Sequence, residues 1–505
     1  MPSLRNRLAI GRLVICLVLV FGGCEVGRDY HTPSVGTPDR YAEVLPAQNI
    51  AATDIRSWWR YFHDPELDAL IERGLSANLD MQLAASRIRQ ARYHEREVHA
   101  QAFPSVDADA GATRTRLSRN SISLGGLDLG GANSSGTSTS GTSSSSVPAL
   151  GIPGTEFNTF QLGFDMSWEL DLFGKARRTA EAATADTEVL VWSLRDTWVS
   201  LAAEIAETYF QLRAAQQRVA VRLAQTTRER REVELLRAKV AGKLATSLDV
   251  QQELSQLALS ESQLPPLQAD VQVHVHALGV LLGQTPESLV AEMAADGLPL
   301  TEPPAIPVGL PSELLQRRPD LRAAERRLAE ASAKTGEATA DLYPRITLTA
   351  SPALISTALS NLLSAGSINA SFGGSLDWNV FDAGKRRAAL HEADESERQS
   401  LLSYQKAVLV ALQEVEDALS HLAAESAETN HLEQSYSAAQ RAQTIAEAQY
   451  RAGIAPLTTV LSAEANQLDA QDRLIVARAD DSKDTVALYK ALGGGWETHA
   501  DTEKP

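Results

Sequence analysis

Two long stretches of the chain contain neither proline nor glycine. Residues Lys175–Lys239 and Lys385–Ala452 are rich in Ala, Arg, Glu, Leu and Gln, all of which favour an α-helix. At about 1.5 Å per residue, each stretch would form a helix nearly 100 Å long. A helix of that length exceeds any compact domain, so the two stretches predict coiled-coil packing.

Both long stretches end at residues that break a helix, and a helical pattern resumes directly afterwards. The breakers are Val240–Ala245 in the first case and Gly453–Pro456 in the second. Each arrangement predicts an antiparallel helical hairpin, with tips at about 240–246 and 453–457.

The chain contains an internal duplication. Trp168 aligns with Trp378, and Gly174-Lys175 aligns with Gly384-Lys385, at a constant offset of 210 residues. The predicted order in each copy is helix, strand, strand, long helix, long helix. The predicted segments are 65–285 and 311–492 as the two repeats, 286–310 as a proline-rich linker and 493–505 as a flexible tail.

Each repeat also contains two short segments in which apolar and polar residues alternate. Leu162, Phe164 and Met166, for example, are separated by Gly163 and Asp165. This period of two predicts strands, although a half-buried soluble sheet would show the same pattern. The predicted strands are 104–116, 160–173, 344–352 and 370–381. The Gly- and Ser-rich segment 120–155 falls between the first two strands and predicts a loop.

The N-terminus has the composition of a bacterial lipoprotein signal. Basic residues precede the apolar run Leu13–Phe21, and Gly22-Gly23-Cys24 follow it. We expect residues 1–23 to be removed, Cys24 to become the lipid-modified first residue, and residues 24–64 to form a lipid-anchored N-terminal segment. The alternative is an ordinary secretory signal with an incidental cysteine. Because Cys16 lies in the removed part, neither catalysis nor a disulfide is expected from cysteine.

Charge and spacing argue against several classes of function. The formal net charge of −17 disfavours nucleic acid as a partner. No spacing typical of a catalytic triad or a phosphate loop occurs, so neither an enzyme nor a cofactor is expected. His274 and His276 lie two residues apart on a predicted helix and would face apart, so no metal site is expected.

The strand count leads to a fold prediction. Four strands cannot close a barrel, and open sheet edges are not tolerated in lipid. Three chains would supply twelve strands, an even number within the range of bacterial barrels. The predicted fold class is therefore α+β: a trimeric 12-stranded outer-membrane β-barrel, four strands per chain, continued by a long α-helical coiled-coil barrel in the periplasm.

Four motifs give the chain a family resemblance. They are Cys24–Tyr30 (with Arg28 where a proline is usual), Leu310–Leu321, Ala340–Pro344 and Gln413–Leu419. Together they resemble the TolC-like outer membrane factors, in particular the NodT/OprM-like lipoprotein branch that serves drug efflux. The resemblance implies a homotrimer, anchored by lipid in the outer membrane, that exports small molecules. It also implies that a periplasmic adaptor protein joins the trimer to an inner-membrane pump.

The resemblance further implies functional residues at the hairpin tips. Gly242, Lys243, Gly453 and Ile454 would contact the adaptor. In this family acidic residues just past each tip often form a constricting ring. The aperture candidates here are Asp249 and Glu253 in the first repeat and, at the usual aspartate positions of the second, Thr459 and Ser462. The alternative is that Asp249 and Glu253 are solvated charges on a helix face.

Three other functions remain open from the sequence. A duct for type I protein secretion would share these features, and only family resemblance favours drug efflux. A coiled-coil scaffold lipoprotein of the envelope is less consistent with four amphipathic strands. A periplasmic enzyme is the most remote reading. The resemblance implies that the inner-membrane pump mainly selects the substrate.

Overall fold

The computed structural model describes residues 26–42, 55–116, 156–294, 300, 313 and 316–497. Cys24, the segment 120–155, most of the linker 286–310 and most of the tail 493–505 lie outside these ranges. The chain is α+β, with long helices and one four-stranded sheet.

The first repeat comprises helices α1 (Pro65–Ala77) and α2 (Leu79–Ala100), strands β1 (Ser105–Arg116) and β2 (Glu156–Leu170), and helices α3 (Lys175–Ala241) and α4 (Ser247–Leu281). The second comprises helix α5 (Pro319–Ala340), strands β3 (Arg345–Ser356) and β4 (Ile368–Asp377), and helices α6 (Lys385–Arg451) and α7 (Leu457–Ala491). Short 3₁₀ helices occur at Ile55–Phe62, Pro286–Leu289, Leu359–Asn361 and Ala365–Ser367.

The two repeats match residue for residue in their helices. Helices α3 and α6 each contain 67 residues, α4 and α7 each contain 35, and both pairs keep the offset of 210. Helices α2 and α5 each contain 22 residues, and strands β1 and β3 each contain 12, at an offset of 240. The offset changes between the first and second strands, where the first repeat carries the insertion 120–155.

The strands form an antiparallel sheet in the order β1-β2-β3-β4. Its register places apolar residues of all four strands on one face. Val106 pairs with Met166, Met166 with Ala350 and Ala350 with Phe372. A second row of this kind consists of Ala110, Leu162, Leu354 and Ile368. The opposite face carries polar residues such as Asp107 and Asp165, which are paired with each other.

The ends of the strands differ from the predicted ones for local reasons. Strand β2 ends at Leu170, three residues early, because Asp171 accepts a hydrogen bond from the backbone N–H of Arg177 at the start of α3. Strand β4 ends at Asp377, before 381, and the carboxylate of Asp382 accepts hydrogen bonds from the N–H groups of Gly384 and Arg386 at the start of α6. These carboxylates satisfy free backbone N–H groups in the first turn of the helix that follows each strand.

A duplicated hydrogen bond ties each second strand to the preceding helix–strand turn. The indole N–H of Trp168 donates to the carbonyl of Ala102 at 3.0 Å, and that of Trp378 donates to the carbonyl of Leu342 at 3.3 Å. The sequence showed that these two tryptophans align at the offset of 210. The structure adds this hydrogen bond, which occurs in both repeats.

The chain divides into two compact units. The sheet unit contains residues 96–180 and 335–391, and the helical unit contains 29–95, 181–334 and 392–505. The main core of the helical unit contains a group of packed aromatic side chains: Trp58 stacks on Tyr489 with ring centroids 5.3 Å apart, and Trp59 is also buried. None of the helices in the described ranges combines the length and hydropathy that a membrane-crossing helix needs.

One buried cation fixes the start of α5 in the helical unit. The side chain of Arg318 is only 10% exposed, and it forms two hydrogen bonds with Asp320, at 3.0 and 2.7 Å. It also contacts Glu414 on α6 at 2.7 Å and donates to the carbonyl of Ala491 at the end of α7. This arginine therefore links three helices of the unit.

Candidate functional site at the hairpin tips

Both hairpins turn through the same backbone motif. In the first, the N–H of Leu244 donates to the carbonyl of Lys239, and the N–H of Lys243 donates to Val240. The second repeats both bonds 210 residues later, from Ile454 to Gln449 and from Gly453 to Tyr450. This is the Schellman motif, which ends a helix through one residue with positive φ.

The residue with positive φ differs between the hairpins. It is Gly453, with φ 72°, in the second hairpin, but Lys243, with φ 58°, in the first. A side chain in this conformation costs about 1 kcal/mol or more relative to glycine. Beside these residues, Leu244 and Ile454 are 81% and 77% exposed, and Gly242 is also exposed. Each tip thus presents an apolar side chain on a well-defined turn.

Asp249 has a structural role that the sequence analysis missed. Its carboxylate accepts a hydrogen bond from the backbone N–H of Thr246 at 2.8 Å, and the Thr246 hydroxyl accepts from the N–H of Asp249. This reciprocal pair is a capping box at the start of α4. The pattern Thr-x-x-Asp before a helix could have revealed it. Asp249 remains partly exposed, so capping does not remove its charge from solvent.

The remaining aperture candidates lie in two environments. Thr459 and Ser462, in the first turns of α7, are exposed. Glu253, by contrast, has no exposed surface. Within one chain it therefore cannot face a passage beside Asp249, because the other helices of the same unit cover it.

An apolar layer joins the two hairpins close to their tips. All four helices contribute to it, and its buried members are Leu236 (α3), Val250 (α4), Ala446 (α6), and Leu457 and Val460 (α7). Burial of these apolar side chains stabilises the contact between the ends of the hairpins.

A layer of carboxyl groups follows the apolar layer, one to two turns further from the tips. Glu253 is 0% exposed, Glu229 on α3 is 1% and Glu464 on α7 is 5%. Glu229 accepts hydrogen bonds from Gln225 and Ser260 through one oxygen, at 2.7 and 2.9 Å. Among the described residues, no group donates a hydrogen bond to either oxygen of Glu253.

Burial is the main cause of a high pKa in this carboxyl layer. It raises the pKa of Glu253 to about 8, with a further contribution from the charges of Glu232, Glu464 and Glu229. Burial and the charge of Glu232 likewise raise the pKa of Glu464 to about 7. The pKa of Glu232 is also raised, chiefly by burial.

Glu229 and Glu232 were not among the residues predicted to lie near the tips. In an antiparallel hairpin, residues at similar distances before and after the turn lie opposite each other. Counting residues from the turn in both directions would therefore have placed Glu229 and Glu232 opposite Glu253. Within the described ranges, no group of three or more His, Cys, Asp or Glu side chains could hold a metal ion.

Comparisons with known proteins identify the family. The family model described as "Outer membrane efflux protein" matches residues 70–284 and 310–494. The chain belongs to this family. The two matched stretches each cover one repeat.

Individual relatives of this outer membrane efflux protein match along nearly its whole length. The chain is 29% identical over 502 residues to the pyoverdine export outer membrane protein OpmQ of Pseudomonas aeruginosa, covering 96% of this chain and 97% of that protein. It is 31% identical over 485 residues to the toluene efflux pump outer membrane protein TtgC of Pseudomonas putida, covering 94% of both.

A solved structure gives the same result for the fold. The outer-membrane channel OprN superposes with a TM-score of 0.79 at 33% identity, covering 94% of this chain and 100% of that one. The predicted α+β fold with four strands per chain and long helical hairpins is confirmed, and so is the family. The chain is the outer-membrane component of an efflux system.

Proposed function

We propose that three copies of this chain form the exit duct of a tripartite efflux system, which exports small molecules. The observation that carries the proposal is the sheet. Its apolar face is exposed in every strand, at Val106 (61%), Phe164 (55%), Leu348 (39%) and Phe372 (81%). A water-exposed apolar face of this kind indicates contact with lipid.

The sheet edges support the count of three. Strands β1 and β4 each pair on one side only within the described sheet. Unpaired backbone groups in lipid cost several kcal/mol each, so β1 of one chain would pair with β4 of the next. Three chains would close a 12-stranded barrel. The polar face, with Asp107 and Asp165, would line its interior.

The hairpins would meet a periplasmic adaptor through their tips. Leu244 and Ile454 would supply apolar contacts, and Gly242, Lys243 and Gly453 would fix the turns that present them. The adaptor would connect the duct to an inner-membrane pump. Two relatives with similar identities to this chain are named for pyoverdine export and toluene efflux. This variety favours small molecules over secreted proteins, and it agrees with selection of the substrate by the pump.

We also propose that Cys24 carries the lipid anchor. Replacing it in Cys24→Ser is expected to abolish labelling by an alkyne analogue of palmitate, because serine offers no thioether site. Cys16→Ser is the matched control and should be labelled like the natural protein, since residue 16 is removed with the signal. Labelling that persists in Cys24→Ser would contradict this assignment.

We propose that Asp249 supplies the negative charge of the periplasmic aperture. Thr459 and Ser462 would line the same aperture from the second repeat. Three copies of Asp249 in a narrow passage would favour cations. We expect the purified protein to conduct in a planar bilayer, and Asp249→Asn to lower its cation-to-anion permeability ratio severalfold. Asparagine can still accept the hydrogen bond from Thr246, so the cap is kept.

Asp469→Asn provides the control for this experiment. Asp469 on α7 is 62% exposed and pairs with Arg473, which is 67% exposed, so the substitution removes the same charge elsewhere. Its selectivity should equal that of the natural protein. A chain that does not conduct contradicts the duct, whereas conduction with unchanged selectivity in Asp249→Asn contradicts only the aperture.

A further inference from the structure

The carboxyl layer beneath the hairpin tips is unusual because its central member has no donor. Glu253 is fully buried, and both of its oxygens lack a hydrogen-bond donor in the described part of the chain. A buried ionised carboxylate without donors is strongly unfavourable. One oxygen each of Glu229 and Glu464 is also without a donor. The layer thus contains more carboxylate oxygens that accept hydrogen bonds than the surrounding helices have donors for.

A proton supplies the missing donor. Glu232 lies close enough to share a hydrogen bond with Glu253, and two carboxyl groups can do so only if one is protonated. With its proton, Glu253 donates to Glu232 across the first hairpin. Without it, the pair consists of two acceptors that repel each other.

The groups around Glu253 come from all four helices. Hairpin one contributes Arg228, Glu229, Glu232 and Lys239 from α3 and Asp249 from α4, and hairpin two contributes Glu447 and Tyr450 from α6 and Glu464 from α7. Three cations adjoin these groups and do not neutralise the layer: Arg228 is an exposed side chain, Lys239 lies over the ring of Tyr450 at 5.2 Å, and Arg451 is an exposed side chain of α6 that pairs with Glu447 at 2.7 Å. Carboxyl groups therefore outnumber cations on both sides of the contact between hairpins.

The hairpin fold does not require these carboxyl groups. At the offset of 210, Glu253, Glu232 and Glu229 correspond to Ala463, Ala442 and Ala439 in the second hairpin. Helices of the same lengths form with alanine at all three positions. The acids of the first hairpin are thus a feature beyond the shared architecture.

We propose that the carboxyl layer is a proton-binding site that holds the two hairpins together near their tips. When Glu253 is protonated, it donates to Glu232 within the first hairpin and presents no charge to Glu464 of the second hairpin, so the adjoining apolar layer stays closed. When Glu253 ionises, its buried charge repels that of Glu464 in the second hairpin, and this repulsion pushes the two hairpins apart. This proton-dependent packing takes place within one chain and does not depend on export.

The direction of the pH dependence follows from the shifts in pKa. In separated, solvated hairpins Glu253 would have the ordinary glutamate pKa near 4.5, whereas burial raises it to about 8 in the packed state. Packing is therefore fully stabilised below about pH 4.5 and weakens as pH rises towards 8. Within that window, one proton changes the ratio of packed to separated hairpins up to about tenfold per pH unit.

The test is the distance between the tips, measured with spin labels on the full-length protein in detergent. Labels on Lys243→Cys and Ile454→Cys report on the two hairpins, and an excess of unlabelled chains isolates distances within one chain. A chain lacking the two introduced cysteines serves as the blank. We expect one narrow distribution at pH 5 and a growing population of longer distances up to pH 8.

Three variants distinguish the proposal from a general effect of pH. Glu253→Gln keeps a donor without a charge, so its distribution should stay narrow from pH 5 to pH 9. Glu261→Gln, on the same helix but exposed and paired with Arg230, should respond like the natural protein. If Glu253→Gln fails to assemble, Glu464→Gln replaces it and should show a smaller response.

Two results would overturn the proposal. One is a distribution in the natural protein that is the same at pH 5 and pH 9. The other is a response in Glu253→Gln, or in Glu464→Gln where it stands in, equal to that of the natural protein. Neither result bears on export, which conductance measures independently.

Discussion

Replacing Phe372 with arginine is expected to prevent stable assembly of the protein in the outer membrane. Phe372 lies in the apolar row with Val106, Met166 and Ala350, and 81% of its side chain is exposed. In the proposed barrel that side chain faces lipid. An arginine on the lipid face of a barrel costs about 2–4 kcal/mol at the bilayer midplane, and three chains incur the cost together.

The neighbouring residue supplies a matched control. Ser371 precedes Phe372 in the same strand and therefore points to the opposite face, which would line the interior. Ser371→Arg should assemble in normal amounts. Fractionated membranes, followed by electrophoresis without heating, would measure the assembled protein. Equal amounts of both variants would mean that the apolar face does not contact lipid.

Replacing Arg318 with methionine is expected to lower the free energy of unfolding by about 3 kcal/mol per chain. Removing one partner of a buried ion pair typically costs about 3–5 kcal/mol. The lower end applies here because Asp320 and Glu414 are 35% and 49% exposed and can recover some hydration. Methionine retains most of the length of the side chain but none of its donors, so the carbonyl of Ala491 also loses its partner.

Arg317 is the adjacent control for this experiment. Its side chain is 36% exposed and pairs with Glu313 four residues away. Such exposed pairs contribute about 0.3–0.5 kcal/mol. Thermal unfolding in detergent, followed by circular dichroism, should therefore separate Arg318→Met clearly from Arg317→Met. Similar losses in the two variants would contradict the role of Arg318 in joining the helices.

The helices and strands that occur in both repeats were the easiest to predict from the sequence. Long runs without proline or glycine predicted α3 and α6, and the alternation of apolar residues predicted all four strands. One exception is instructive: α4 continues through Pro265 and Pro266, where a helix break is the usual expectation. The packed helical unit tolerates the lost backbone hydrogen bonds there.

The candidate site was harder to predict from the sequence because it depends on which faces of the helices pack against each other. The sequence indicated that Asp249 and Glu253 lie just past a tip, one turn apart. It gave no means of deciding that Asp249 caps α4 while Glu253 is buried among acids from the other helices. That difference arises from packing between hairpins more than 200 residues apart in the chain.

The central claim is that three chains form one hollow duct, and single-particle imaging of the mature protein in mild detergent tests it most directly. We predict a threefold, hollow cylinder that is longer than the roughly 100 Å of its longest helices alone. A monomer, or a solid rod without a central passage, would contradict the account.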